Sequence, residues 1–577
     1  MNPKRQANHG RSPFLWSVAL LWAALLPAHA GPTEELLRLV PADVGFCLVV
    51  RDLRGHAETL ADAPFVERLR AAPLAAVVTQ TAEWQRFTEL HRDIKTHLHI
   101  DARQLRDDIL GDAVVMVYRP GPPDQPDHEQ GLLLLHARRP ELLDRLLTRL
   151  NDVQVQAGDI QEIQTRDFQG VRYVRRVKPN GESEYYCRRG PVLAFATREE
   201  MLRQVIDRLR ASQDKDQPPP LAEKLRRLVG EKYLAALWIN PRAFDAELAQ
   251  NLEAAEGGEA AFLKTFLVYW KALEGAALFV RLDHDVQVGL AAQVQTETLP
   301  ESARRFLATA SQPSVLWGNI PDDALLTVSS RVDIAALVDL VREFLPPSAR
   351  QAVRNAVERS AGAALGKDVG NDVVPALGPD WGLCLLPPTD DKAWIPQAWL
   401  ALGVRPSDTE PPVGQALLTA LNSLAMLAVF DYNHKHADAA MSLRSLRQED
   451  VEIRYLVNDQ RWPPGVQPAF ALKQGYLLLA NSPEAIRRFH AGATDPPAAA
   501  EVPLLRLSLR GLRLYLEQRR AQLIDHLMAR EGLTKPGAEL RLRLLLSGLQ
   551  IFDRLEIQQH SQPGQVRFIA RFGNLEP

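Results

Sequence analysis

Cysteine is nearly missing from this chain: Cys47, Cys187 and Cys384 are the only three in 577 residues. Their number is odd and their spacing wide, so disulfides do not hold the fold together and a packed core must. Basic blocks are missing too. The formal charge is −3, a mild acidic balance that argues against nucleic acid and anionic lipid surfaces as partners. HExxH, a GxGxxG after a strand, GxxxxGK[ST] and GxSxG are all absent. With them go the signatures of zincins, dinucleotide-binding folds, P-loop proteins and α/β-hydrolases.

What is present begins with an address. Lys4, Arg5 and Arg11 form a positive region without an acid, Phe14–Leu26 is apolar, and Ala28-His29-Ala30 precedes Gly31 as a small-residue cleavage signal. The apolar run is 13 residues (26 − 14 + 1), short of the roughly 20 that span a bilayer. This predicts a signal peptide over 1–30 and an exported protein, periplasmic or extracellular. An uncleaved N-terminal anchor is the alternative, and no cysteine follows to carry a lipid. Losing three cations takes the mature charge to −6 (−3 − 3). Hydrophobic residues at 46% and charged residues at 24% are ordinary globular values, so a packed interior is expected. The length suggests about two to four domains.

The stretch Pro41–Asp52, PADVGFCLVVRD, organises the rest. A proline-acid turn launches an apolar strand, Val44 to Val50, and Arg51-Asp52 opens a helix. The device returns at Pro321–Asp333, PDDALLTVSSRVD, 280 residues on (321 − 41). Other matches follow in the same order. Leu110-Gly111 answers to Leu377-Gly378 (offset 377 − 110 = 267), and LLTRLN at Leu146–Asn151 to LLTALN at Leu417–Asn422 (417 − 146 = 271). Val171-Arg172-Tyr173-Val174 answers to Ile453-Arg454-Tyr455-Leu456 (453 − 171 = 282), and Gly190 with its strand and helix to Gly475 (475 − 190 = 285). Insertions in surface loops explain the drift, because lengthening a loop costs little.

The expected fold is therefore α+β, a tandem duplication of one unit over 31–296 and 315–577, joined by a connector at 297–314. Each unit reads as a mostly antiparallel sheet of roughly six to eight strands, by count of alternating segments, with helices covering one face. The two units are expected to be pseudo-two-fold related. Asp214–Pro220, DKDQPPP, breaks the first unit.

Chemistry-bearing patterns are few. His97-Leu98-His99-Ile100-Asp101, His434-Lys435-His436-Ala437-Asp438 and Asp283-His284-Asp285 resemble metal-ligand spacing. None recurs in the other copy, and surface histidines and turn acids are the plainer reading. Phe262, Phe266, Tyr269, Trp270 and Leu273 form a helical stripe that reads as core. Cys187 has Arg188 and Arg189 beside it but no histidine, so a nucleophile there is the minor reading. No catalytic, cofactor or metal residue is assigned.

The opening Leu39-Val40-Pro41-Ala42-Asp43 with its strand, and the strand Gly475–Ala480 followed by Asn481-Ser482-Pro483-Glu484, resemble a broad family of exported bacterial proteins carrying a domain of unknown function. The resemblance implies an extracytoplasmic protein of two α+β halves, with no activity and no functional residue to carry over. Three functional classes remain open. The leading one is a non-enzymatic binding or scaffold protein whose partner is a protein or envelope component. The second is a carrier of a lipid or other apolar ligand between the halves. The third is a hydrolase-type enzyme with a site at their junction. No cofactor, no nucleic acid and no integral membrane span in the mature chain are expected.

Overall fold

The computed structural model describes residues 31–211, 217–390, 392–492 and 501–574. The expected leader, 1–30, and part of the break at 214–220 lie outside the described residues. The first part of the chain supplies β1 Phe46–Arg51, β2 Ala113–Arg119, β3 Gln130–His136, β4 Glu162–Phe168, β5 Val171–Val177, β6 Ser183–Arg189, β7 Val192–Ala196, β8 Ala235–Ile239, β9 Leu273–Leu282 and β10 Val286–Val294. The second supplies β11 Leu326–Arg331, β12 Leu377–Leu386, β13 Gln397–Val404, β14 Ser442–Gln448, β15 Val451–Val457, β16 Ala469–Lys473, β17 Tyr476–Ala480, β18 Val502–Ser508, β19 Arg554–Gln562 and β20 Gln565–Gly573. Among the described residues each part thus has ten strands, more than expected.

All twenty strands hydrogen-bond into one antiparallel sheet. The order is β4-β5-β6-β7-β3-β2-β1-β8-β9-β10-β20-β19-β18-β11-β12-β13-β17-β16-β15-β14. Read from the far end with ten subtracted or added, the order is unchanged. The two outermost strands, β4 and β14, carry Arg166, Asp167, Arg444 and Arg447, charges that blunt an open edge against further pairing.

The helices that matter below are α1 Pro32–Leu39, α2 Pro64–Ala71, α3 Pro140–Ala157, α4 Glu199–Ala211, α5 Pro220–Val229, α6 Gly257–Ala272, α7 Ile334–Phe344, α8 Val413–Lys435, α9 Pro483–Arg488 and α10 Lys535–Leu549. Several begin with proline, whose missing N–H costs nothing in the first turn. In α1 the acids Glu34 and Glu35 sit in the first turn and Arg38 in the last, as the helix dipole favours.

One sheet face carries the core. Cys47, Val49, Val115, Leu134, Ala194, Trp238 and Phe279 pack there with Leu36, Met201, Val205 and Leu225 from α1, α4 and α5. Farther along, Cys384, Trp399, Ala401 and Leu478 pack with Ile486 of α9 and with Phe489. Gly289 serves this core directly, since a Cβ there would lie 2.1 Å from the buried Phe279 ring. Helices are not confined to that face as expected. On the other side α3 packs over Leu135 and Leu193, and α8 over Phe470 and Leu472.

The aromatic stripe on α6 docks on a helix of the second part, not on the sheet. Phe262 and Tyr269 meet Phe344 of α7 at 5.5 and 5.2 Å between ring centres, and the Tyr269 hydroxyl donates to Glu343 at 2.6 Å. Leu273 belongs to β9, not to the stripe. A second exchange runs the opposite way. Phe65 of α2 stacks on Phe552 at 5.2 Å, Arg68 pairs with Asp553 at 3.2 Å, and α10 packs on the helix Pro73–Val78.

Candidate binding face

Antiparallel sheets ordinarily bury one face and wet the other, which gives strands alternating apolar and polar residues. The central strands here do not alternate. Behind the core face runs a cross-strand row of directly paired residues: Leu193, Leu135, Val114, Val50, Ala235, Val280, Val288, Ala570, Ile557, Leu505, Val328, Leu383, Leu400, Leu479 and Phe470. The row crosses fifteen strands without one polar side chain. At about 4.8 Å per strand its path is roughly 70 Å long. Two residues away on the same face lies a second row, Phe195, Leu133, Met116, Leu48, Leu237, Leu278, Leu290 and Phe568. On the other flank Phe572, Leu555, Leu507, Leu326 and Leu385 make a third.

This face is covered at its ends and along one flank, where Phe552 and Phe65 of α2 lie over Phe572. Leu135 and Leu193 lie under α3 and Phe470 under α8, all buried. Between them Met116 is 52% exposed, Leu290 45% and Leu400 39%, while Val115, Ala291 and Ala401 beside them on the core face are fully buried. Leu278, Val288, Leu479 and Phe568 are open to a similar degree. Large side chains left open over so long a stretch exceed what solubility alone tolerates, and contiguous patches of this kind mark binding surfaces.

The junction of the two parts, β10 against β20, ends in a cavity of about 440 Å³. Gln293, Gln295, Gln562 and Gln565 line it with Glu274 and Glu297, and Gln295 donates to Glu274 at 2.6 Å. Among the described residues lining it there is no histidine, cysteine, serine or threonine. A second cavity, about 490 Å³, lies beside α1 and α5 and is lined by Arg51, Asp52, Asp112, Arg226 and Tyr233. At its rim His136 stands between Asp112 (3.2 Å) and Glu35 (3.7 Å), with Arg138 also on Asp112 at 3.4 Å. That cluster is invisible in the sequence, because its members come from a helix, a turn and a strand end.

The three metal-like patterns are not gathered by the fold. His97 is exposed in a helical turn, His99 follows at φ +53°, and Asp101 caps a new helix by accepting from the Gln104 N–H at 2.8 Å. His434 is exposed on α8, while His436 stacks on Tyr432 at 4.4 Å and Asp438 faces Arg461 at 3.8 Å. Asp283-His284-Asp285 is the hairpin turn between β9 and β10. His284 is exposed there, 4.0 Å from Asp283, and Asp285 holds Arg571 at 2.5 Å. All three cysteines are buried. Burial pushes the Cys47 and Cys187 thiols up to about 12 and the Cys384 thiol up to about 11, which leaves no thiolate nucleophile near neutral pH.

No family model, no curated protein and no solved structure matches this chain. The functional reading therefore rests on the face itself. Its signal was present in the sequence as hairpin-connected strands apolar at both parities, a pattern that belongs to strands buried on both sides. Among the described residues one helix, α8, is long and apolar enough to cross a bilayer by length and composition, and its Leu418 and Ala425 pack on Phe470.

Proposed function

We propose that this chain is an exported, non-enzymatic binding protein that holds an apolar ligand of the acyl-chain type against the open face of its sheet. One observation carries this reading: an apolar face that runs uninterrupted across fifteen strands and leaves Met116, Leu278, Val288, Leu290, Leu400, Leu479 and Phe568 between 38 and 52% exposed, while Val115, Ala291 and Ala401 on the core face are sealed. A long, flexible hydrocarbon fits a long, shallow apolar surface, whereas a compact polar substrate needs a few converging polar groups in a concavity. The described residues lining the junction of the halves offer amides, two carboxylates and the Arg227 guanidinium but no histidine, cysteine or hydroxyl nucleophile, which favours the carrier over an enzyme sited there.

On the same reading the protein is a tandem duplication of one α+β unit, 31–296 and 315–577, with a pseudo-two-fold axis between β10 and β20. The palindromic strand order supports it, and so do paired hydrogen bonds. The Gly131 N–H donates to Thr197 Oγ1 at 2.9 Å, and the Ala398 N–H to Asn481 Oδ1 at 2.8 Å. The Ala137 N–H meets the Pro191 carbonyl at 2.9 Å, and the Val404 N–H the Gly475 carbonyl at 2.8 Å. Offsets of 267 (398 − 131 and 404 − 137) and 284 (481 − 197 and 475 − 191) recur in both pairs. Duplication doubles the length of the apolar row, which is what a long ligand would use.

The test is extraction of the purified exported protein with organic solvent, followed by mass spectrometry and by uptake of a fluorescent fatty acid after delipidation. Near-stoichiometric lipid, and uptake abolished by Met116→Gln with Leu290→Gln, are expected. No lipid and no uptake would sink the reading.

A further inference from the structure

Helix α8 is where the two halves differ most in chemistry. With Leu146–Asn151 set on Leu417–Asn422, an offset of 271 (417 − 146), Gln154 and Gln156 of α3 answer to Ala425 and Leu427 of α8. Helix α3 stops at Gly158, φ +78°, whereas α8 continues to Lys435. One side of α8 is fixed on Phe470, the end of the long apolar row. The other side is bare: Leu424, Met426, Leu427 and Phe430 are 56, 50, 64 and 75% exposed.

Two features decide what covers it. The four side chains leave on the order of 500 Å² open, at roughly 200 Å² for a large side chain, against about 800 Å² per partner in a stable interface. A second copy of the chain would need more. With Ala428 the bare positions sweep an arc of about 200° at 100° per residue, wider than the stripe of about 100° that a helix buries against one neighbour. A convex apolar end that no flat partner covers suits a fluid one. An interfacial helix lies in the membrane plane with its apolar side about 5–10 Å deep, and Leu424 to Phe430 present about 9 Å of such a side along the axis. Asp431 and Lys435 pair at 2.8 Å beyond it, so the tip is electrically neutral, and Tyr432 and His436 follow as amphipathic rings.

We propose that this end of α8 inserts into the interfacial layer of a lipid bilayer and is the point at which the acyl-chain ligand passes between membrane and sheet. The second clause rests on the function proposed above; the bilayer contact does not.

Cosedimentation of the purified protein with phosphatidylcholine vesicles tests it. The wild type should bind, with affinity changed less than about twofold between 0.1 and 1 M salt, since no net charge drives the contact. Leu427→Glu with Phe430→Glu should lower binding by about tenfold or more yet leave fatty-acid uptake in solution intact, while slowing transfer from vesicles. Met116→Gln with Leu290→Gln should do the reverse, losing uptake and keeping vesicle binding. Wild-type protein that ignores vesicles, or an α8 variant that binds them as before, overturns the proposal. So does a concentration-dependent dimer in sedimentation that the α8 variant dissolves. If the face variant keeps its uptake, the carrier reading falls while the bilayer contact stands.

Discussion

Arg119 and Arg488 each hold an aspartate and a glutamine, in two separate polar clusters and from different kinds of element. Arg119, at the end of β2, reaches Asp43 at 2.5 Å, Gln130 at 3.1 Å and Gln204 at 3.0 Å. Arg488, at the end of α9, reaches Asp323 at 2.7 Å and Gln397 at 3.3 Å. Asp43 and Asp323 are 280 apart (323 − 43), Gln130 and Gln397 are 267 apart (397 − 130), and the position that answers to Arg488 at offset 284 is Gln204 (488 − 204). In each cluster an arginine holds a carboxylate and an amide, from a strand end in one and from a helix end in the other.

That relationship makes a prediction about rescue. Arg119→Leu, which copies Leu386 of the second unit, should cost about 1 kcal/mol, because Asp43 is largely exposed and solvent screens the pair. Adding Gln204→Arg should restore most of it by rebuilding the second unit's arrangement in the first. Urea midpoints of the two single variants and the double variant measure this. A double variant no more stable than Arg119→Leu would count against equivalence of the clusters.

The same offsets explain what could be seen in the sequence and what could not. The turn-strand-helix device at Pro41 was legible, and β1 falls within it with Cys47 buried. The glycine match was legible only to within one residue. Gly190 is the first residue of its hairpin turn, followed by Pro191, while Gly475 is the second, after Gln474 at φ +52°. Different turn types place glycine differently, and a one-residue slip exchanges the faces of every side chain. Strand pairing therefore sets Val192 against Tyr476, not Leu477. Likewise Tyr173 answers to Ile453, each three residues into its strand and buried, so the Arg-Tyr repetition lies two residues out of register. The open face is not legible in single strands: an apolar run such as Val44 to Val50 reads as a strand buried on both sides, and only the cross-strand register shows that one side stays open.

Gly289 should be intolerant of even a methyl group. Its Cβ would meet three atoms of the Phe279 ring within 2.6 Å, and that ring is buried and cannot swing aside. Gly289→Ala should destabilise by about 1–3 kcal/mol through overpacking, and Phe279→Leu should relieve part of this. Thermal unfolding of the single and double variants would measure it; an unchanged Gly289→Ala midpoint would mean that the ring has room to move.

Asp333 gives a pH signature. Burial pushes its carboxyl up, but the Ala336 N–H at 2.9 Å and Arg305 at 3.0 Å outweigh that and hold it below the usual range. A depressed folded-state pKa contributes stability above the unfolded value near 4, and that contribution is lost as pH falls through the folded value. Asp333→Ala should therefore cost about 1 kcal/mol at pH 7, as for a lost helix cap, and the gap from wild type should close as the pH is lowered toward about 2. A gap that is constant from pH 7 to 2 would rule out the charged cap as its source.

The last prediction separates a binding face from a structural one. If Met116, Leu278 and Leu290 served the core, truncating them would cost what core residues cost. Leu134, on the sealed side of β3, should lose about 2–5 kcal/mol on mutation to alanine. Leu290→Gln, on the open side of β10, should stay within about 0.5 kcal/mol of wild type in the delipidated protein, because its side chain is nearly half in water already. With ligand bound the ranking should shift: a ligand that binds only the folded state raises stability by mass action, and Leu290→Gln should forfeit that increment while Leu134→Ala keeps it. Denaturant titrations with and without fatty acid would read both numbers. A Leu290→Gln variant as damaged as Leu134→Ala without ligand would mean that the face is packed in solution, and nothing would then be left for an acyl chain to cover.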